Sequence, residues 1–172
     1  MIAILHTLAV CVFPMLVITA AMRDLTSYTI PNWISLALIA AFPLAAASTG
    51  MSLPAFGLAA SAGGIALVAG IAMFALGWIG GGDAKLFAAC GLWLGWPAIL
   101  PFTLFTALAG GALAVALLWT RRLGQPIAAY GPPWFGRLMS VGGDVPYGLA
   151  ICAGALIAFP QSQIAFAAGL LF

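Results

Sequence analysis

The chain carries three acidic residues, Asp24, Asp83 and Asp144, and no glutamate. Asp83 closes the run Gly80-Gly81-Gly82-Asp83, and Asp24 opens the segment DLTSYTIPNW. Each sits where an apolar run meets a short polar break, and a carboxylate beside a membrane is costly enough to need a reason. Two carboxylates brought together share a proton, because close like charges resist ionising together. The ionised member can take a proton from water as the water attacks a carbonyl. The protonated member can hydrogen-bond the carbonyl oxygen. Residue type and placement therefore point to hydrolysis of a peptide bond, with Asp24 and Asp83 as the catalytic pair.

The elements that hold them are membrane helices. Of the 172 residues, 65% are hydrophobic and 5% charged, too few charges to cover the surface of a soluble domain this size. The net charge of +2 rests on eight residues and gives no footing for a nucleic-acid partner. Apolar segments fall at 2–22, 33–48, 55–78, 84–96, 98–119 and 146–159, with an apolar tail beyond. A span needs about 20 residues, so the first, third and fifth cross comfortably and the fourth is short. The expectation is an all-α, polytopic bundle of about six transmembrane helices, in one membrane-embedded domain over 1–172. The first run has no positive residue before it and reads as a retained span rather than a signal peptide. Pro31 restricts Ile30, and Asn32 is placed to cap the helix beginning at Trp33. Asp144 is placed to cap the sixth span, with Pro146 in its first turn. The tail after Pro160 either crosses the membrane or lies along it.

Charge placement orients the bundle. Arg23 and Asp24 follow the first span, Asp83 and Lys85 the third, and Arg121, Arg122, Arg137 and Asp144 the fifth. In an alternating chain these three connections share one side, and the connections near 49–54 and 95–98 hold no charge. The positive-inside rule makes the charged side cytoplasmic. Asp24 then ends a descending helix and Asp83 begins an ascending one, so both lie at one depth although they stand 59 positions apart. Asp83 at a helix N-terminus suits the ionised base, and Asp24 near a helix C-terminus suits the protonated acid. The three glycines allow unusual φ and close approach of a substrate strand. The plainer reading makes them a flexible turn, Asp83 an N-cap and Asp24 a boundary charge. Lys85 either holds substrate, tunes Asp83 or snorkels. Arg121, Arg122 and Arg137 set topology and meet anionic membrane lipid.

Gly80-Gly81-Gly82-Asp83 resembles the GxGD signature of membrane aspartyl proteases, and its extension Ala84-Lys85-Leu86 resembles the prepilin peptidase version. Asp24-Leu25 with Ile30-Pro31-Asn32-Trp33 is similar to that family's first catalytic segment, and Pro146-Tyr147-Gly148 to another of its elements. The resemblance runs over essentially the whole chain and implies Asp24 and Asp83 as catalytic residues. It gives supporting or substrate-binding roles to Gly80, Gly81, Gly82, Lys85, Pro31, Asn32, Pro146, Tyr147 and Gly148. No cysteine pair of the bifunctional, methylating members is present. The closer likeness is to the short CpaA/TadV-like peptidases of Flp pili and tight-adherence secretion. That likeness implies cleavage of a prepilin partner after a glycine, on the cytoplasmic side of the bacterial inner membrane. It implies no metal and no cofactor.

Two other readings compete. A presenilin- or signal-peptide-peptidase-like protease shares GxGD, but its partner aspartate follows tyrosine where this chain has Arg23. A small proton-coupled transporter would place ionisable groups nearer mid-membrane. Cys11, Cys90 and Cys152 stand singly as small buried hydrophobes. Trp78, Trp93, Trp96, Trp119 and Trp134 are expected at the membrane interface, and Gly63-Gly64 and Gly110-Gly111 in close helix packing.

Overall fold

The computed structural model describes residues 2–123 and 132–167, and all regular elements among them are helical. α1 spans Ile2–Ser27, α2 Asn32–Ser48, α3 Leu53–Ala75 and α4 Gly81–Leu123. The shorter α5 (Pro133–Leu138), α6 (Tyr147–Ala158) and α7 (Gln163–Ala167) follow, with a 3₁₀ turn at Phe159–Gln161 before α7. Three helices are long and apolar enough to cross a membrane, through Val10–Ser27, Leu53–Ala75 and Gly81–Arg122. Asn32–Ser48 and Tyr147–Gln161 are apolar but shorter.

The 43-residue α4 is in fact a helical hairpin. A straight helix of that length would run about 65 Å, twice a bilayer's hydrocarbon thickness. Gly95 breaks it, with φ 61° and ψ −174°, a conformation open to glycine. The rings of Phe87 and Phe102 then stack with centroids 4.7 Å apart, whereas fifteen helical positions would separate them by about 22 Å. The fourth and fifth apolar runs thus become two arms, 81–94 and 96–123, that double back on each other.

Small residues let the first arm lie against α3. A Cβ on Gly63 would stand 2.9 Å from the Leu92 Cβ, and one on Gly91 would stand 2.8 Å from the Ala66 Cβ. Without a water-driven hydrophobic force in lipid, such close backbone approach is what holds helices together. Gly110 leaves room for the Tyr147 ring, 3.3 Å from where its Cβ would stand, while Gly64 and Gly111 face open space. An aromatic cluster of Phe13, Phe42, Trp93 and Phe159 centres the bundle, with Phe13 and Phe159 stacked at 4.7 Å. Trp93 therefore departs from the expected interfacial belt. It is 1% exposed, and its indole N–H donates to the Leu38 carbonyl at 2.8 Å. Trp78, Trp96 and Trp119 are exposed. Cys90 and Cys152 are buried, but Cys11 is on the surface.

The caps differ from expectation. α2 begins at Asn32 itself, after Pro31, and the Asn32 side chain accepts from Lys85 instead of capping. Pro146, not Asp144, precedes the first residue of α6, and Asp144 is exposed. The end of the tail, with residues 124–131 of the long connection, lies outside the described residues. The tail's start does pack inward, with Ile164 and Ala165 fully buried.

Candidate active site

Asp24 lies in the last turn of α1, which continues to Ser27, and it is 6% exposed. Its Oδ2 accepts a hydrogen bond from the backbone N–H of Gly148 at 2.7 Å. Gly148 is in the first turn of α6, where N–H groups have no partner within their own helix. Asp24 therefore closes the free end of a helix 124 positions away. Asp83 lies in the first turn of α4, and its Oδ2 accepts from the Gly80 N–H at 3.2 Å. This is the reaching-back half of a capping box. Asp83 thus lies inside the first turn and is not the N-cap of the plainer reading, and it serves the helix start with one oxygen only. Its Oδ1 is buried and has no partner among the described residues.

Both carboxylates line a single cavity of about 230 Å³ with Tyr28, Thr29, Ile30, Gly80, Gly81 and Gly82. Liquid water occupies about 30 Å³ per molecule, so the space admits several waters or a short stretch of backbone. None of the three glycines has positive φ, so unusual backbone freedom is not their use here. Their use is space. A Cβ on Gly82 would come 3.1 Å from the Ile30 Cβ, and one on Gly80 would come 2.9 Å from Oδ2 of Asp83. The bare segment is what lets the 28–30 turn and the start of α4 meet around the aspartates.

Because Asp24 faces the first turn of α6, each aspartate now sits at the positive end of a helix. The dipole argument that told the acid from the base therefore no longer separates them. The remaining sequence candidates divide. Gly148 touches Asp24 directly, and buried Pro146 fixes the chain two residues before it. Tyr147 borders a second, mostly apolar cavity of about 280 Å³, which Asp83 also lines with Phe87, Thr106 and Ile151. Lys85 and Asn32 are elsewhere. Lys85 Nζ donates to Asn32 Oδ1 at 2.9 Å on an apolar groove of about 460 Å³ between α2, α3 and α4. Neither residue lines the aspartate cavity.

Two residues at this site escaped the sequence reading. Tyr28 has φ 54°, uncommon for a non-glycine residue and a mark of strain held by its surroundings. Its hydroxyl is buried without a hydrogen-bond partner among the described residues. Burial pushes the phenol above its ordinary range, with Arg121 opposing, so Tyr28 stays a neutral O–H donor. Arg121 itself, expected on lipid, is 5% exposed and bonded to protein carbonyls. Only its place at the end of an apolar helix could have flagged it.

Compared with known proteins, residues 11–115 match the type IV leader peptidase family. The chain belongs to that family. It is 39% identical over 67 residues to the "Prepilin leader peptidase/N-methyltransferase" of Burkholderia pseudomallei (strain 1026b), covering 38% of this chain and 20% of that protein. A protein of the same name from Bacillus subtilis (strain 168) is 33% identical over 153 residues, covering 86% of this chain and 53% of that protein. The chain thus spans about half or less of the length of these relatives. No solved structure gives a significant match. The matched family region contains Asp24, Asp83 and the hairpin turn at Gly95.

Proposed function

We propose that the chain is a membrane aspartyl endopeptidase that removes the leader peptide of Flp-type prepilins by water activated between Asp24 and Asp83. The observation that carries this reading is the shared cavity. Two carboxylates from helices distant in sequence meet in one space, with one oxygen of each held by a backbone N–H. Water in that space gives a proton to the ionised aspartate as its oxygen bonds to the scissile carbonyl carbon. The protonated partner donates to the carbonyl oxygen, which takes up the charge of the tetrahedral intermediate. Collapse re-forms the carbonyl and breaks the carbon–nitrogen bond, and the leaving amine takes the proton from the first aspartate. Gly80–Gly82 line the same cavity and leave room in it for a scissile peptide bond.

In this reading the chain crosses the bacterial inner membrane six times. α1, α2, α3, both arms of α4 and α6 are the spans, and the aspartates face the cytoplasm. The charge segregation supports that orientation. Cleavage follows a glycine preceding the pilin's apolar helix, and the new N-terminus is left unmethylated. The test is co-expression with such a pilin, read by gel shift and by the mass of the mature N-terminus. Wild type cleaves, whereas Asp24→Asn and Asp83→Asn each accumulate in the membrane and do not. Processing that survives either substitution refutes the pair, and a methylated product refutes the single activity.

A further inference from the structure

We infer that Arg121 is a positioning residue for Asp24, acting through the strap of chain that precedes α6; this inference rests on the proposed peptidase reading. Arg121 is buried at the far end of the second arm of α4. Buried cations are ordinarily paired with acids, yet no carboxylate pairs with this one among the described residues. Instead its Nε donates to the Leu138 carbonyl at 2.9 Å, one terminal nitrogen to Gly143 at 2.7 Å, and the other to Asp144 at 2.6 Å. One rigid, planar fork thus grips both ends of the strap from 138 to 144. Beyond Leu138, the end of α5, that strap turns at Gly142, whose φ is 77°, and needs holding because it forms no helix or strand of its own.

From Asp144 the path to the catalytic group is short. Val145 leads to Pro146, buried and locked in φ, then to Tyr147 and to Gly148, whose N–H holds Oδ2 of Asp24. The guanidinium charge also acts on the phenol of Tyr28, on the turn that leaves α1 four residues after Asp24. Arg121 therefore ties the Gly148 side of the Gly148–Asp24 contact to the second arm of the α4 hairpin, whose first arm carries Asp83. A residue serving only topology or lipid would need no such fork of carbonyl bonds.

The test is a double-mutant cycle in purified, detergent-solubilised enzyme with a prepilin substrate, using Arg121→Gln and Gly148→Ala. Arg121→Gln alone is expected to lower kcat about 10- to 100-fold with KM within about threefold, since the aspartate is misplaced and the substrate site is not. Gly148→Ala disturbs the same contact directly. If Arg121 acts through it, the double variant is no slower than the worse single one, to within about threefold. Losses that multiply, or Arg121→Gln within about threefold of wild type, overturn the inference. Where Arg121→Gln fails to accumulate, Arg121→Lys takes its place in the cycle. It keeps the cation but not the fork, so an intermediate kcat is expected, and the same two outcomes overturn the inference. Wild-type cleavage with an unaffected Arg121 variant sinks only this inference. A wild type that cleaves no prepilin sinks the peptidase reading and takes the inference with it.

Discussion

Gly148→Ala is the sharpest single perturbation of the site. A Cβ built on Gly148 would lie 2.8 Å from the Asp24 Cβ, 2.9 Å from its Oδ2 and 3.1 Å from its Cγ. Carbon atoms rest comfortably at about 3.5–4.0 Å, so α1 and α6 must part by roughly 0.7–1.2 Å. Rotating Asp24 about χ1 gives no relief, because its Cβ stays where the backbone puts it. The 2.7 Å bond from the Gly148 N–H to Oδ2 is lost in that movement. In the proposed peptidase, where Asp24 is one of the reacting groups, a displacement near 1 Å costs about 10²-fold in rate, or about 2.7 kcal/mol of barrier. The backbone itself tolerates alanine, since Gly148 is helical with no left-handed φ. Helix propensity even gains about 1 kcal/mol, which offsets part of the crowding. Gly148→Ala should therefore accumulate in the membrane and cleave about 100-fold more slowly. Initial rates on purified enzyme measure this, with Gly64→Ala, which meets open space, as the control. A kcat within threefold of wild type would mean that the Gly148–Asp24 contact is not part of the catalytic arrangement.

Other outcomes follow from the same geometry. Gly154→Ala places a methyl against the Thr106 side chain and 2.9 Å from the Phe102 carbonyl. It should lower thermal stability by about 1–3 kcal/mol, seen as a reduced melting temperature and not as a selective loss of kcat. Tyr28→Phe removes a buried hydroxyl that has no partner among the described residues. It should leave stability unchanged or raise it by up to about 1 kcal/mol; a marked drop in melting temperature would reveal a bond that the hydroxyl makes. Asp144→Asn, at an exposed side chain, should keep near-normal cleavage, because Arg121 grips the Asp144 carbonyl and not its carboxylate. Cysteines placed at 49–54 should react with an impermeant thiol reagent in intact cells, and one at Thr26 should not. Labelling at Thr26 from outside would reverse the orientation.

What the sequence disclosed and what it hid divide along one physical line. Periodic features were legible: the apolar runs appear as helices, and the Gly95-Trp96-Pro97 punctuation marks the break in α4. So was the convergence of Asp24 and Asp83 on one cavity, because scarcity made each carboxylate conspicuous in so apolar a chain. Contacts across long sequence separations were not legible. Nothing local says that Trp93 turns inward to the Leu38 carbonyl, or that Lys85 turns to Asn32 and away from its neighbour Asp83. The glycine run promises both backbone freedom and close approach; the fold uses only the second, and for its own turn at Ile30, which nothing local announces. Arg121 is the clearest case. Its position at the end of an apolar helix matches any topology-setting cation, and only the folded strap supplies the three carbonyls that bury it. A cation bonded to backbone leaves no complementary charge in the sequence to betray it. In a membrane protein this poor in acids, buried basic residues must find carbonyl partners, so the cations beside such straps are where site-organising residues should be sought.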